Sequence, residues 1–189
     1  MTCNDTEKIS ARRQRGDLLK ALPDSKAHLI FWLVTITGLV LDLWSKKAVF
    51  AYLQSKGGHV SLINGFLQLR AQENPGAAFG IAHGQPVFLV SVSIIAMVVL
   101  LGLFLFGRMN RGLHHLALGL FSAGVMGNLY DRLFNDGYVR DFIDVYYGRR
   151  HWPTFNLADT MLCLAAGILV LSTFTSTDKD YQKPAEQQK

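Results

Sequence analysis

The chain has 189 residues, of which 50% are hydrophobic and 17% are charged, with 19 Lys and Arg against 14 Asp and Glu. A soluble domain of this size carries about 25% charged residues, so the composition argues against a water-soluble globule and favours one membrane-embedded domain. The two cysteines, Cys3 and Cys163, exclude a disulfide framework, and no closely spaced Cys/His set could hold a structural zinc. Basic residues gather at the ends of apolar runs, which argues against a nucleic-acid-binding face.

Four apolar stretches approach the length of about 20 residues that crosses the hydrocarbon core of a bilayer. They cover residues 28–44, 86–106, 113–130 and 157–174. The pattern therefore predicts an all-α membrane protein with four transmembrane helices. The domain would span residues 28–175, including outer loops 47–85 and 131–156, between cytoplasmic tails 1–27 and 176–189. A cleaved signal peptide is the alternative for the first stretch, but no small-residue cleavage site follows it.

The distribution of Lys and Arg predicts the orientation of these spans. The two tails and the short connection between the second and third spans hold eleven of these residues, whereas the two outer loops, together with Lys46 just before the first, hold eight over a longer stretch of chain. Because basic residues accumulate on the cytoplasmic side, both termini should be cytoplasmic.

Three acidic residues lie at the ends of spans that this topology places near the outer face: Asp42, Asp131 and Asp159. A carboxylate within a span is costly, and such residues are functional candidates by default. We therefore expect a site near the outer surface.

The first outer loop contains a segment, residues 60–70, in which apolar and polar residues partly alternate, and this predicts short strands. The fold class thus includes a small extracytoplasmic β-rich loop. Its exposed edge could accept an extended peptide by main-chain pairing, and an ordinary surface hairpin is an equally good interpretation.

The acidic residues around the second outer loop suggest a chemistry. Two carboxylates in a poorly hydrated site cannot both ionise cheaply, so one keeps a proton while the other acts as a base, and such a pair can hydrolyse an amide through an activated water. A serine nucleophile lacks a matching histidine and elbow. Cys163 lies one helical turn beyond Asp159, but a lone cysteine in an apolar helix usually serves packing. A divalent metal bridging several Asp residues is a weaker alternative, because no phosphate-binding motif accompanies them.

Five segments in order resemble the motifs of the signal peptidase II (lipoprotein signal peptidase) family: residues 42–46, 73–80, 127–132, 139–144 and 155–159. The resemblance covers roughly residues 29–171. It implies an aspartic endopeptidase of the bacterial cytoplasmic (inner) membrane, with no cofactor or metal. Such an enzyme removes signal peptides from diacylglyceryl-modified prolipoproteins by cutting before the lipidated cysteine, and its partners are these substrates and membrane lipids.

Carried over by position, the resemblance implies roles for individual residues. The catalytic pair would be Asp141 and Asp159. Four further residues would bind substrate, namely Asn74, Asn128, Arg132 and Asn156. Four would have structural or supporting roles, namely Asp42, Lys46, Gly76 and Asp131. Asp42 and Lys46 would place helix ends or contact lipid.

Each role has a simpler alternative. Asp141 could be a solvated loop acid, Asp159 could simply stabilise a helix N-terminus, and Arg132 could pair with Asp131 or reach the membrane interface. Arg140, beside Asp141, departs from the usual small apolar residue, and we expect its charge to favour ionised Asp141. The rival functions are a transporter that uses the acids as a proton relay and a non-catalytic scaffold, which would tolerate Asn at either position of the pair.

Overall fold

The structure is a computed structural model that describes residues 23–77, 80–107 and 112–180, with side chains described up to residue 174. Four long helices alternate with two short β segments. The helices are α1 (Ser25–Gln54), α2 (Pro86–Phe106), α3 (Gly112–Phe134) and α4 (Leu157–Asp180). The strands are β1 (His59–Ile63), β2 (Leu67–Asn74), β3 (Val139–Tyr147) and β4 (Arg150–His151).

Three helices of the described residues are long and apolar enough to cross a membrane: Ser25–Gln54, Pro86–Phe106 and Leu157–Phe174. The second and the last coincide with predicted spans. The third predicted span forms a helix but does not meet this criterion, because α3 includes His114, His115 and Asn128 among its apolar residues. The structure thus supports a mostly helical membrane protein. Three of the four predicted spans form helices that are long and apolar enough to cross a membrane.

The helix ends differ from the predicted ones at several points. Helix α1 begins at Ser25, because the side chain of Asp24 accepts a hydrogen bond from the backbone N–H of Ala27 (2.8 Å) and caps the first turn. It continues to Gln54, so the first connection starts later than the predicted loop at residue 47. Helix α4 continues to Asp180, beyond the predicted domain end at 175. Most of the predicted tails, residues 1–22 and 181–189, lies outside the described residues.

Helix α3 packs against each of the other three helices. Its glycines allow close approach: a Cβ on Gly124 would lie 2.7 Å from the carbonyl oxygen of Ala158 in α4. A Cβ on Gly127 would overlap the carboxylate of Asp42 in α1. Small residues at such crossings let polar groups on neighbouring helices meet, which is how membrane helices commonly associate.

The four strands form one sheet in the order β1-β2-β3-β4, with antiparallel pairing throughout. The predicted strands of the first loop are confirmed as β1 and β2. Sequence reasoning missed β3, which lies in the second loop and pairs with β2. Gln72 lies opposite Asp141 in this pairing, so the sheet carries an acidic residue of the second loop to a strand of the first.

Candidate active site

A cavity of about 690 Å³ opens where the end of β2, the strand β3, the last turns of α3 and the first turns of α4 meet. This volume is typical of a ligand site. Five of the residues that the sequence assigned to catalysis or substrate binding line it: Asn74, Asn128, Arg132, Asp141 and Asp159. The sixth, Asn156, is fully buried behind the two carboxylates instead of in the cavity wall.

Asp141 is held in the wall by strand β3 and is only 2% exposed, so it is not a solvated loop acid. Its two carboxylate oxygens accept hydrogen bonds from two side-chain amides. Asn74 donates to Oδ2 over 3.0 Å, and Asn156 donates to Oδ1 over 2.6 Å. Both oxygens therefore have fixed partners, which sets the plane of the carboxyl group.

Asp159 lies in the first turn of α4 and exchanges hydrogen bonds with Asn156. The backbone N–H of Asp159 donates to Oδ1 of Asn156 (3.0 Å), and the backbone N–H of Asn156 donates to Oδ2 of Asp159 (3.1 Å). This reciprocal arrangement is a capping box, and the helix N-terminus favours a negative charge there. The predicted helix-terminus role of Asp159 therefore coexists with its position in the cavity.

Asn128 of α3 forms a hydrogen bond to the second carboxylate oxygen of Asp159, and two other side chains fix the orientation of its own amide. Its amide nitrogen donates to Oδ1 of Asp159 over 2.8 Å. Its oxygen accepts from Nζ of Lys46 (3.0 Å) and from the side-chain nitrogen of Asn156 (3.1 Å). Because Lys46 is a donor only, it fixes which end of the Asn128 amide faces Asp159.

The environment of Asp141 raises the affinity of its carboxyl group for a proton. Burial, followed by the neighbouring charge of Asp159, raises the pKa of Asp141 to about 7. The hydrogen bonds from Asn74 and Asn156 and the charge of Lys46 act in the opposite direction but do not outweigh burial. Asp159 is less buried and accepts from one backbone and one side-chain N–H. Asp141 is thus the group that retains a proton near neutral pH.

Behind the cavity lies a fully buried charge cluster on α1 and α3. Nζ of Lys46 lies 2.8 Å from Asp42 and 3.4 Å from Asp131, and none of the three side chains is exposed. Asp42 also accepts the backbone N–H of Ala158 (2.8 Å) and so ties α1 to the start of α4. Asp42 and Lys46 are thus fully buried between helices, at the point where α1 meets the start of α4.

The expectation for Arg140 was wrong. Its guanidinium pairs with Oδ1 of Asp131 (2.5 Å), and its backbone N–H donates to Oδ2 of the same residue (2.9 Å). Successive residues of a strand point to opposite faces, so Arg140 faces α3 while Asp141 faces the cavity. Arg140 thus anchors β3 to α3, and the positive charges that act on Asp141 include those of Lys46 and Arg132.

Arg132 does not pair with Asp131 in the structure. Its Nη2 donates to the carbonyl oxygen of Gly76 (3.0 Å) and its Nη1 to that of Asn128 (3.3 Å). Gly76 in turn donates its N–H to Oδ1 of Asn74 (2.9 Å), and a Cβ on Gly76 would lie 3.0 Å from the carbonyl oxygen of Ile81. Arg132 and Gly76 therefore hold the loop that follows Asn74 at the end of β2.

Sequence reasoning missed three polar residues that also line the cavity: Gln72, His83 and Thr154. Gln72 accepts a hydrogen bond from the hydroxyl of Thr154 (2.9 Å), which joins β2 to the segment before α4. No local sequence signal identifies these residues, because the strand pairing that brings them to the cavity is long-range. Cys163 also lines the cavity. The described residues contain no group of three or more His, Cys, Asp and Glu side chains that could hold a metal ion.

Comparisons with known proteins identify the family of this chain. The family model described as signal peptidase (SPase) II matches residues 34–175. The lipoprotein signal peptidase of Syntrophus aciditrophicus is 41% identical over 155 residues, which cover 77% of this chain and 93% of that protein. The lipoprotein signal peptidase of Photorhabdus laumondii is 37% identical over 152 residues, covering 78% and 89% of the two chains.

Two solved structures share the fold. A bacterial membrane enzyme determined by the in meso method at 2.3 Å resolution superposes with a TM-score of 0.70 at 27% identity, covering 82% of this chain and 93% of that one. A second, at 1.9 Å resolution, gives a TM-score of 0.61 at 28% identity over 75% and 90% of the two chains. The family match runs from within α1 to within α4 and includes the sheet and all the residues of the cavity described above, and the chain belongs to the signal peptidase II family.

Proposed function

We propose that the protein is an aspartic endopeptidase that removes the signal peptide from diacylglyceryl-modified prolipoproteins by cutting before the lipidated cysteine. Asp141 and Asp159 are its catalytic pair. The observation that carries the proposal is that these two carboxyl groups line one cavity and are joined behind it by a single residue, Asn156. The curated relatives, named lipoprotein signal peptidases, support the substrate class.

We infer the catalytic role of each acid from its environment. Asp159, at the N-terminus of α4, acts as the base that takes a proton from a water molecule, and this water attacks the scissile carbonyl carbon. Asp141, with its raised pKa, donates its proton as the amide breaks and the amine leaves. Transfer of this proton from Asp159 to Asp141, directly or through a water molecule, restores the starting state.

The cavity offers substrate a polar rim and an apolar floor. Asn74, the last residue of β2, and Gly76, in the loop that follows, lie next to Arg132, and these groups are close enough to the acids to align a peptide backbone. Leu162 and Cys163, one turn beyond Asp159 on α4, form an apolar surface next to the scissile position. Asn156, which is buried, positions the catalytic pair and does not contact substrate.

We further propose that α3 is a fourth transmembrane span, that both termini are cytoplasmic, and that the cavity lies near the outer face of the bacterial cytoplasmic membrane. The 23 residues of α3 extend about 35 Å, enough to cross a hydrocarbon core of about 30 Å. Its polar residues face the other helices, where His115, Asn128 and Asp131 are buried. The excess of Lys and Arg in the tails supports the orientation.

Cleavage of matched precursors tests the proposed substrate. Purified protein in detergent receives a prolipoprotein with a diacylglyceryl-modified cysteine and, separately, the same precursor without the lipid. We expect cleavage of the first, with mass spectrometry placing the new N-terminus at the lipidated cysteine. Equal cleavage of both precursors, or cleavage at another bond, would contradict the proposed specificity.

A further inference from the structure

A second cavity, of about 510 Å³, lies on the sheet and shares no lining residue with the candidate active site. We call it the sheet-face cavity. Its polar wall is formed by His59 of β1, Gln68 and Arg70 of β2, Tyr146 of β3 and His151 of β4. The strand register explains why these side chains meet: His59 lies opposite Arg70, and Tyr146 lies opposite His151.

The side chains exposed to this cavity can donate hydrogen bonds to an anion, and the one carboxylate nearby is buried beneath them. The carboxylate of Asp144 lies under the same face, but it is only 1% exposed. Gln68 donates to its Oδ2 over 2.7 Å, and Nδ1 of His151 lies 2.9 Å from the same oxygen. Both oxygens of Asp144 thus have partners below the surface, where the carboxylate presents no free oxygen to the cavity, and Nε2 is the outward-facing nitrogen of His151.

Arg70 supplies an uncompensated positive charge. Its side chain is exposed, and within the described segments it forms neither an ion pair nor a hydrogen bond. His59, directly across the strand pair, is also exposed. A guanidinium with two imidazoles around one concave surface suits a phosphate group, which accepts paired hydrogen bonds from arginine.

The position of the cavity along α1 indicates where such a phosphate comes from. The helix has 30 residues, about 45 Å, which equals the thickness of a bilayer including its headgroups. Gly57 and Gly58, just after its end, form one side of the cavity. If the protein lies in the membrane as proposed above, the end of α1 and the sheet-face cavity lie at the depth of the lipid headgroups.

We propose that the sheet-face cavity binds a phosphate group, supplied by a phospholipid headgroup or by free phosphate, with Arg70 as its principal ligand. Strand β3 carries Asp144 under this cavity and Asp141 in the other, so a bound headgroup would hold the strand that carries a catalytic acid. The site nevertheless lies outside the catalytic machinery.

Binding by full-length protein in detergent tests this proposal. Native mass spectrometry measures the binding of phosphatidylglycerol and of a diacylglycerol with the same chains, which lacks phosphate. A second arm measures the thermal midpoint in sodium phosphate against sodium chloride of equal ionic strength. The variants are Arg70→Gln and His59→Gln. Arg150→Gln is the matched control, because Arg150 neighbours His151 in β4 and points to the opposite face.

We expect phosphatidylglycerol to bind at least about tenfold more tightly than diacylglycerol, and Arg70→Gln to remove that preference, since a charge-assisted hydrogen bond accounts for roughly tenfold or more. His59→Gln should weaken binding by a smaller factor, and Arg150→Gln should bind within about twofold of wild type.

A raised thermal midpoint in phosphate would show that the phosphate group alone suffices for binding, whereas binding of the lipid without that rise would assign the site to lipid headgroups. Equal binding of the two lipids, or wild-type binding by Arg70→Gln, would overturn the proposal. Precursor cleavage, assayed in parallel, reports the proposed peptidase function separately.

Discussion

The side-chain amide of Asn156 donates to Oδ1 of Asp141 over 2.6 Å, although the two residues are 15 positions apart on a helix cap and a strand. The backbone N–H of the same asparagine donates to Asp159. One buried residue therefore sets the positions of both acids relative to each other. Preorganisation of this kind is what a water-activating pair requires, because the two groups must act on one substrate atom and one water.

The first prediction concerns the pH dependence of cleavage. If Asp141 donates a proton, the enzyme is active only while that group is protonated, and its pKa is raised to about 7. We expect kcat/KM to fall about tenfold per pH unit well above pH 7. The measurement is a pH profile with a lipid-modified precursor in detergent. A profile that stays flat from pH 6 to 9 would rule out Asp141 as the acid.

The second prediction concerns Asn74. Its hydrogen bond to Asp141 favours the ionised form, so Asn74→Ala should raise the pKa of Asp141 further and move the basic limb of the profile to higher pH. Gln72→Ala is the matched control, because the side chain of Gln72 lines the same cavity and accepts a hydrogen bond from Thr154 instead of donating one to Asp141. If the basic limb of the pH profile shifts equally in both variants, or toward lower pH in Asn74→Ala, the side-chain amide of Asn74 does not act on the pKa of Asp141.

The third prediction concerns the effect of Asp141 on the pH dependence of the protein's stability. Below about pH 4 the carboxyl of Asp141 is protonated in folded and unfolded chains. Between its ordinary pKa of 3.8 and the folded value of about 7, only the unfolded chain releases the proton. This group therefore makes stability fall as pH rises through that window, by on the order of 4 kcal/mol, and adds no further change above it.

Asp141→Asn should remove that contribution, which thermal midpoints measured in detergent between pH 4 and 8 would detect as a shallower decline than in wild type. Asp136→Asn is the control: Asp136 is exposed in a turn with φ of 50°, a conformation that asparagine tolerates well. Its slope should match that of wild type. Identical slopes for all three proteins would mean that Asp141 does not titrate in this range.

The fourth prediction tests the helix crossing behind the site. A Cβ on Gly127 would overlap the carboxylate of Asp42, which is fully buried and also binds Lys46. Gly127→Ala should destabilise the protein by about 3 kcal/mol or more, as expected when a buried ion pair is displaced. Gly102→Ala on α2, where nothing lies within 4 Å of the added Cβ, should change stability by less than about 1 kcal/mol. Thermal unfolding in detergent compares the two, and equal midpoints would contradict the packing described here.

Much of the fold and site was predictable because its signals are local. Apolar runs located the helices, and the spacing of Asn156 and Asp159 is that of a helix cap. The ordered motifs identified the acids through their resemblance to a family. Burial of Asp141, in contrast, depends on the pairing of β2 with β3, whose partners Gln72 and Asp141 are far apart in sequence.

Other features depended on tertiary geometry that sequence proximity does not reveal. Arg140 adjoins Asp141 in sequence, but the alternation of a strand turns it toward Asp131 instead. Lys46 is remote in sequence from Asn128, yet it sets the orientation of that amide. Helix α3 has a composition that is less apolar than a typical span because it packs against the other three helices and carries their polar contacts.

The central claim is that Asp141 and Asp159 act as one catalytic unit, and the most direct test is the cleavage rate of Asp141→Asn, Asp159→Asn and the double variant on a lipid-modified precursor, with Asp136→Asn as the control. Because groups that act as a unit are not additive, we expect each single variant to lose at least about 10³-fold in kcat and the double variant to lose little more. Asp136→Asn should cleave at the wild-type rate. Folded Asp141→Asn or Asp159→Asn protein that still cleaves at close to the wild-type rate, or losses that multiply in the double variant, would contradict the account.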